Sequence, residues 1–157
     1  MLKVALSNVN LQLMTILKEA EGFHGHLGPF LVIGVRAGLI GLMKLGIEKG
    51  DQQMSATAML KNSIPFSCIL DGVQIATGCT VGNKRLKLQD SSSVAIIFEN
   101  KNGKQVEIEV NSTTLDRLME RLSAKNVGSE EVRRLGYIMA SVGEHELFRV
   151  KLETNSS

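Results

Sequence analysis

Apolar residues fall in this chain into blocks whose spacing switches from helical to alternating and back. From Leu2 to Glu21, Leu11, Leu13, Met14, Leu17 and Ala20 follow helical spacing with one buried face, and Gly22 is the expected stop. A more continuously apolar run follows from Pro29 to Leu45. Gly28-Pro29 opens it, since proline tolerates the first helical turn, where its missing N–H has no intrahelical partner to lose, and Gly46 closes it. Inside this second helix Gly34, Gly38 and Gly41 each cost roughly 1 kcal/mol against alanine, which predicts close packing against a sheet or a partner. Met54 to Leu60 alternates loosely and reads as a strand. Pro65-Phe66-Ser67 opens a third helix, with Ser67 as N-cap, Ile69, Leu70, Val73 and Ala76 inward, and an end near Gly78.

Three short strands come next, Arg85 to Gln89, Val94 to Glu99 and Gln105 to Val110, and Asn100-Lys101-Asn102-Gly103 between the last two is a hairpin signal. Helices are expected from Ser112 to about Leu122 and from Ser129 through Met139. The tail from Glu144 to Leu152 reads as a short helix, a strand or both in turn, with fraying expected from Thr154 to Ser157. The order helix, strand, helix, then three strands defines an α+β domain with a small mixed sheet, to which the C-terminal helices are additions.

At 157 residues the chain is one domain, long enough to bury its own core. A formal charge of +2, with no basic stripe, argues against a nucleic-acid surface. The run Leu27 to Ile47 approaches membrane-span length but carries Arg36 near its middle and Lys44 near its end. A central arginine costs about 2.5 to 3.5 kcal/mol in a bilayer, so the run reads as a buried helix of a protein with no membrane partner. Two cysteines make no disulfide framework, and no charged segment with an apolar run and cleavage site opens the sequence, so a reducing, cytoplasmic setting is expected.

Candidate chemistry concentrates in two blocks. His24-Gly25-His26 places two of the chain's three histidines one residue apart at the mouth of the second helix. A neutral imidazole is the commonest ligand for divalent transition metals, and on extended backbone a His-x-His pair turns both rings to one side. Cys68 falls in the first turn of the third helix, where the helix dipole favours a thiolate. Asp71 and Gln74 follow at three-residue spacing and form a polar line on an otherwise apolar helix. If strand and helices alternate in direction, both helix N-termini emerge at one end of the sheet and bring His24, His26 and Cys68 together. Three protein ligands leave one position open, the pattern of catalytic zinc. Cys79 lies eleven residues beyond Cys68, roughly 16 Å along one helix, too far to share an ion within one chain. Arg36 either pairs with a carboxylate such as Asp71 or faces the site as an anion-binding group. The stretch Asn83 to Lys87 is a phosphate-holding loop or a solvated strand edge, and His145, between two glutamates, reads as a surface residue. The plainest alternative is that the histidines make only structural hydrogen bonds.

The segments Phe23-His24-Gly25-His26-Leu27-Gly28-Pro29, with Gly34 and Arg36 behind it, and Cys68 to Gly82 resemble the FmdE family, which takes its name from formylmethanofuran dehydrogenase. The resemblance covers roughly residues 15 to 110. It implies an α+β core with a mixed four-stranded sheet and a metal-binding protein, often a homodimer, here without the zinc ribbon that many members carry. Matched residue by residue, the family's site falls on His24, His26, Cys68, Asp71, Gln74 and Cys79. Many members place a cysteine where this chain has Gly28, so one thiolate of the family site is missing. The molybdenum or tungsten pterin and iron–sulfur clusters of the dehydrogenase have no ligands in a chain with two cysteines.

The expectation is therefore a zinc-type metal held by His24, His26 and Cys68, with Cys79 a neighbouring thiol or one lent across a dimer. Cys68 and Asp71 are the candidates for chemistry on a small one-carbon or carbonyl compound, with Gln74 and Arg36 as supporting groups; the resemblance also implies, as an alternative, a role accessory to a molybdenum or tungsten formylmethanofuran dehydrogenase-type system. The rival expectation is a non-catalytic metal carrier or assembly module that docks on a larger oxidoreductase partner.

Overall fold

The computed structural model describes residues 2–153, with side chains from residue 11 onward; the tail expected to fray, Thr154 to Ser157, lies outside the described residues. Among the described residues, six helices and five strands follow in the order α1 (Leu2–His24), α2 (Pro29–Leu45), β1 (Ser55–Leu60), α3 (Cys68–Thr77), β2 (Leu86–Asp90), β3 (Ala95–Glu99), β4 (Gln105–Val110), α4 (Ser112–Leu122), α5 (Ser129–Ser141), α6 (Glu144–Leu147) and β5 (Phe148–Glu153). The expected α+β fold is present, and the tail resolves into a short helix followed by a strand.

The strands form one mixed sheet in the order β2-β1-β3-β4-β5, in which β1 and β2 run parallel and the other pairs antiparallel. The fifth strand corrects the four-stranded expectation: β5 zips along β4 from Gln105 opposite Glu153 to Val110 opposite Phe148. Alternation on β4 sends Val106, Ile108 and Val110 inward, and Ala56, Ala58 and Leu60 do the same on β1. That buried face receives α2, most of whose residues are buried.

Close packing of α2, predicted from its glycines, has three targets. A Cβ on Gly41 would lie 2.6 Å from the Phe98 ring on β3, one on Gly38 2.8 Å from Ala76 on α3, and one on Gly34 2.1 Å from the Ile69 carbonyl. Gly72 on α3 returns the approach, with Leu31 O 2.3 Å from where its Cβ would stand. Gly34 meets Ile69 and Gly72 while Gly38 meets Ala76 and Thr77, so the two helices run side by side in the same direction. Their N-termini therefore share one end of the molecule.

The C-terminal helices are more than additions. Gly136 of α5 sits against the Gly28 backbone and the Leu27 side chain, and Arg133 of α5 pairs with Glu21 of α1. No helix among the described residues is long and apolar enough to cross a membrane.

Candidate functional site

Where α1 ends and α2 and α3 begin, an open cavity of about 610 Å3 forms. His24, His26, Cys68 and Asp71 supply its chemistry, and Phe30, Leu31, Ile64, Pro65, Leu122 and Val132 its apolar walls. Helix α1 continues past Gly22, so His24 is its last residue instead of part of an extended loop. The turn is made at Gly25, whose φ of 106° favours glycine and whose N–H donates to Glu21 O. Both rings still come together, with centroids 4.7 Å apart and planes tilted by 41°. His26 is exposed, whereas the His24 side chain is only 13% exposed.

His24 Nδ1 lies 2.6 Å from Asp71 Oδ2. A carboxylate partner assigns the proton to Nδ1 and leaves the Nε2 lone pair free. That Nε2 is buried and has no hydrogen-bond partner among the described residues. Behind the pair, Gln74 Nε2 donates to Asp71 Oδ1 at 3.1 Å, and Val81 N–H donates to Gln74 Oε1 at 3.0 Å. The polar line expected on α3 is thus a relay from a backbone amide to a histidine ring, which holds that ring's orientation and tautomer.

Cys68 stands at the start of α3, half-buried. Its thiol pKa is pushed up, first by burial and then by the negative charge of Asp71, against a smaller lowering by a backbone hydrogen bond. The pull of the helix dipole toward a thiolate is thus outweighed, and a bound cation would act in the opposite direction. Ser67 is the N-cap of α3, as expected, but among the described residues its side chain makes no capping bond. Among the described residues, no group of three or more His, Cys, Asp or Glu side chains already stands in an arrangement that could hold a metal ion.

Two supporting residues lie elsewhere. Cys79 is fully buried beyond the far end of α3, where its thiol donates to Met54 O at 3.3 Å and burial raises its pKa. Arg36 does not meet Asp71; its guanidinium donates to Met139 O at 2.7 Å and Val142 O at 2.5 Å and lies 5.9 Å from the centroid of the Phe148 ring. It fastens the end of α5 to α2, and burial lowers its pKa. Arg85 is likewise structural, donating to the Asp51 and Gly78 carbonyls. His145 is exposed, as expected. The apolar walls escaped sequence reasoning, because Ile64, Leu122 and Val132 carry no chemistry and come from three separate segments.

Fold and cavity define a mixed α+β domain with a histidine, cysteine and carboxylate cluster at the joined ends of three helices. The chain belongs to the FmdE family, described as molybdenum formylmethanofuran dehydrogenase operon, whose model matches residues 23–151. It is 33% identical over 162 residues to a probable S-adenosyl-L-methionine-binding protein of Archaeoglobus fulgidus; the match covers 92% of this chain and 44% of that protein. The chain thus spans less than half the length of this relative. The fold is similar to that of an FmdE-like protein of tungsten formylmethanofuran dehydrogenase type from Syntrophus aciditrophicus, with a TM-score of 0.59 at 16% identity, over 92% of this chain and 73% of that one.

Proposed function

We propose that this chain is a metal-binding protein in which His24, His26 and Cys68 hold a divalent transition metal, zinc in the first instance. The observation that carries the reading is His24 Nε2, a buried lone pair with no partner among the described residues, on a ring fixed through its other nitrogen by Asp71. An unsatisfied buried polar atom costs about 1 to 3 kcal/mol, and a cation at that position removes the cost. Hydrogen bonding of a ligating histidine's second nitrogen to a carboxylate is the usual support for such a ligand. Exposed His26 and half-buried Cys68 have the freedom to close on an ion anchored by His24, and the ion would supply the positive charge that the Cys68 thiol lacks.

Three protein ligands leave a position open toward the cavity. A metal there would polarise an oxygen or nitrogen donor entering from the cavity. A built cavity beside the open position favours a protein that binds or acts on a ligand over one that only passes metal to a larger oxidoreductase. The S-adenosyl-L-methionine binding named for the Archaeoglobus relative belongs to a protein of more than twice the matched length and forms no part of this proposal.

The test is elemental analysis of the purified, untagged protein beside a His24→Ala/His26→Ala variant. Near-stoichiometric metal that disappears in a folded variant is the expected result. Equal metal content in the two proteins, or none in either after reconstitution with zinc, overturns the reading.

A further inference from the structure

Of the one-carbon or carbonyl compounds expected, the size and lining of the cavity point away from the one-carbon ones. A one-carbon molecule displaces about as much space as one or two waters, at roughly 30 Å3 each. The cavity measures about 610 Å3, so such a ligand would leave about nine-tenths of it to solvent. Openings of 300 to 1,000 Å3 accommodate organic molecules of many heavy atoms.

The polar groups also come from two short segments. His24, His26, Ser67, Cys68 and Asp71 come from the close of α1, the turn after it and the start of α3, whereas Phe30 and Leu31 of α2, Leu122 of α4 and Val132 of α5 form the walls. The apolar lining continues outward to Ile64, which is 84% exposed although aliphatic, and to Pro65. Phe66 braces this rim from behind, edge-on to Phe30 with ring centroids 5.3 Å apart. An aliphatic side chain left in water at the lip of an apolar cavity is surface that a bound ligand would cover.

We infer that the cavity takes an amphiphilic organic ligand: an apolar body of several carbons or more lies along Phe30, Ile64, Leu122 and Val132, and one oxygen- or nitrogen-bearing head reaches the His24 end. The head's attachment rests on the metal reading above; the fit of the body does not.

The experiment titrates two homologous series of probes, straight-chain carboxylates and 1-alkanols from one to ten carbons, into zinc-loaded and zinc-free protein by calorimetry. Affinity should rise about two- to fourfold per methylene in both series, since each fully buried CH2 contributes about a fourfold factor. Zinc should strengthen only the carboxylates. Ile64→Asp, at an exposed position that the fold tolerates, should weaken the ten-carbon probes about tenfold and leave zinc affinity unchanged. Leu122→Trp, which fills the wall, should flatten the chain-length dependence. Lack of any chain-length dependence in protein that loads zinc overturns this inference and spares the metal reading. A chain-length dependence with no zinc effect on carboxylates overturns the head's attachment to metal and upholds the apolar body.

Discussion

Replacing Gly72 with alanine should open the seam on which the site depends. The new methyl would lie 2.3 Å from Leu31 O, 2.6 Å from Val35 N and 2.9 Å from Gly34 C, where ordinary contact begins near 3.4 Å. All three atoms are backbone of α2, so no side chain swings aside, and the helices must part by about 1 Å. Overpacking of this kind costs about 1 to 3 kcal/mol and occasionally more. With three backbone clashes the upper end, about 3 kcal/mol, applies, and alanine returns up to about 1 kcal/mol of helix propensity, which leaves a net loss of about 2 kcal/mol. For a domain of this size that corresponds to a fall in Tm of about 4 to 8 °C. Thermal and urea unfolding followed by circular dichroism would measure it. Gly22→Ala is the control, because a Cβ there meets nothing within 4 Å, and it should raise Tm slightly. Gly34→Ala, whose Cβ would lie 2.1 Å from Ile69 O, widens the same gap, so the double variant should lose less than the two single losses added. Wild-type stability in Gly72→Ala, or strict additivity in the double variant, would refute the argument.

The site carries its own expectations. Gly28→Cys should fold, since its φ of −140° suits any residue and the nearest atom to its Cβ is a side-chain methyl, Val132 Cγ1, at 3.2 Å. The same Cβ stands 3.7 Å from His26 Nε2, so the thiolate should tighten zinc about tenfold or more in a competition titration, and unchanged affinity would place Gly28 away from the ion. Asp71→Asn removes the charge that orients His24 and should weaken metal about 10- to 100-fold with little change in Tm; equal affinity would reduce the Asp71 to His24 contact to a structural one. Cys68→Ser should lower metal affinity while Cys79→Ser, buried at the other end of α3, should leave it unchanged, and the reverse order would relocate the site.

Much of the fold was legible because its signals are local. Proline at the start of α2, Gly46 and Gly78 in left-handed conformation after α2 and α3, and the Asn100 to Gly103 turn each act within a few residues. The missed features are those for which distant residues decide. Helix α1 runs past Gly22 because nothing requires a stop there, and the left-handed turn comes three residues later at Gly25. Arg36 read as a partner for Asp71 because arginine in an apolar helix needs acceptors; those acceptors are two carbonyls more than a hundred residues away, to which no sequence pattern points. Helix α5 looked peripheral for the same reason. Its role appears only when Gly136 is found against Gly28 and Val132 is found in the cavity wall.

The glycines and the site are parts of one arrangement. Two helices that run in the same direction bring their N-termini together only as closely as their axes allow, and side chains at the crossing normally hold axes 8 to 10 Å apart. Gly34 and Gly72 remove those side chains at the first crossing, within the first two turns of each helix. Cys68 and Asp71 on α3 are thereby drawn toward the turn that links α1 to α2, close enough for Asp71 to reach His24. A helix pair held apart by alanine or larger residues would keep every candidate ligand in the sequence and lose the 2.6 Å contact that fixes the histidine. Stability is therefore spent at the seam, in glycines of poor helix propensity, for a geometry needed only at its end. The Asp71 to His24 contact should accordingly fail in Gly34→Ala or Gly72→Ala before the fold does: at temperatures where the variants remain helical, the nitrogen-15 shifts of the His24 ring should show the loss of a single tautomer.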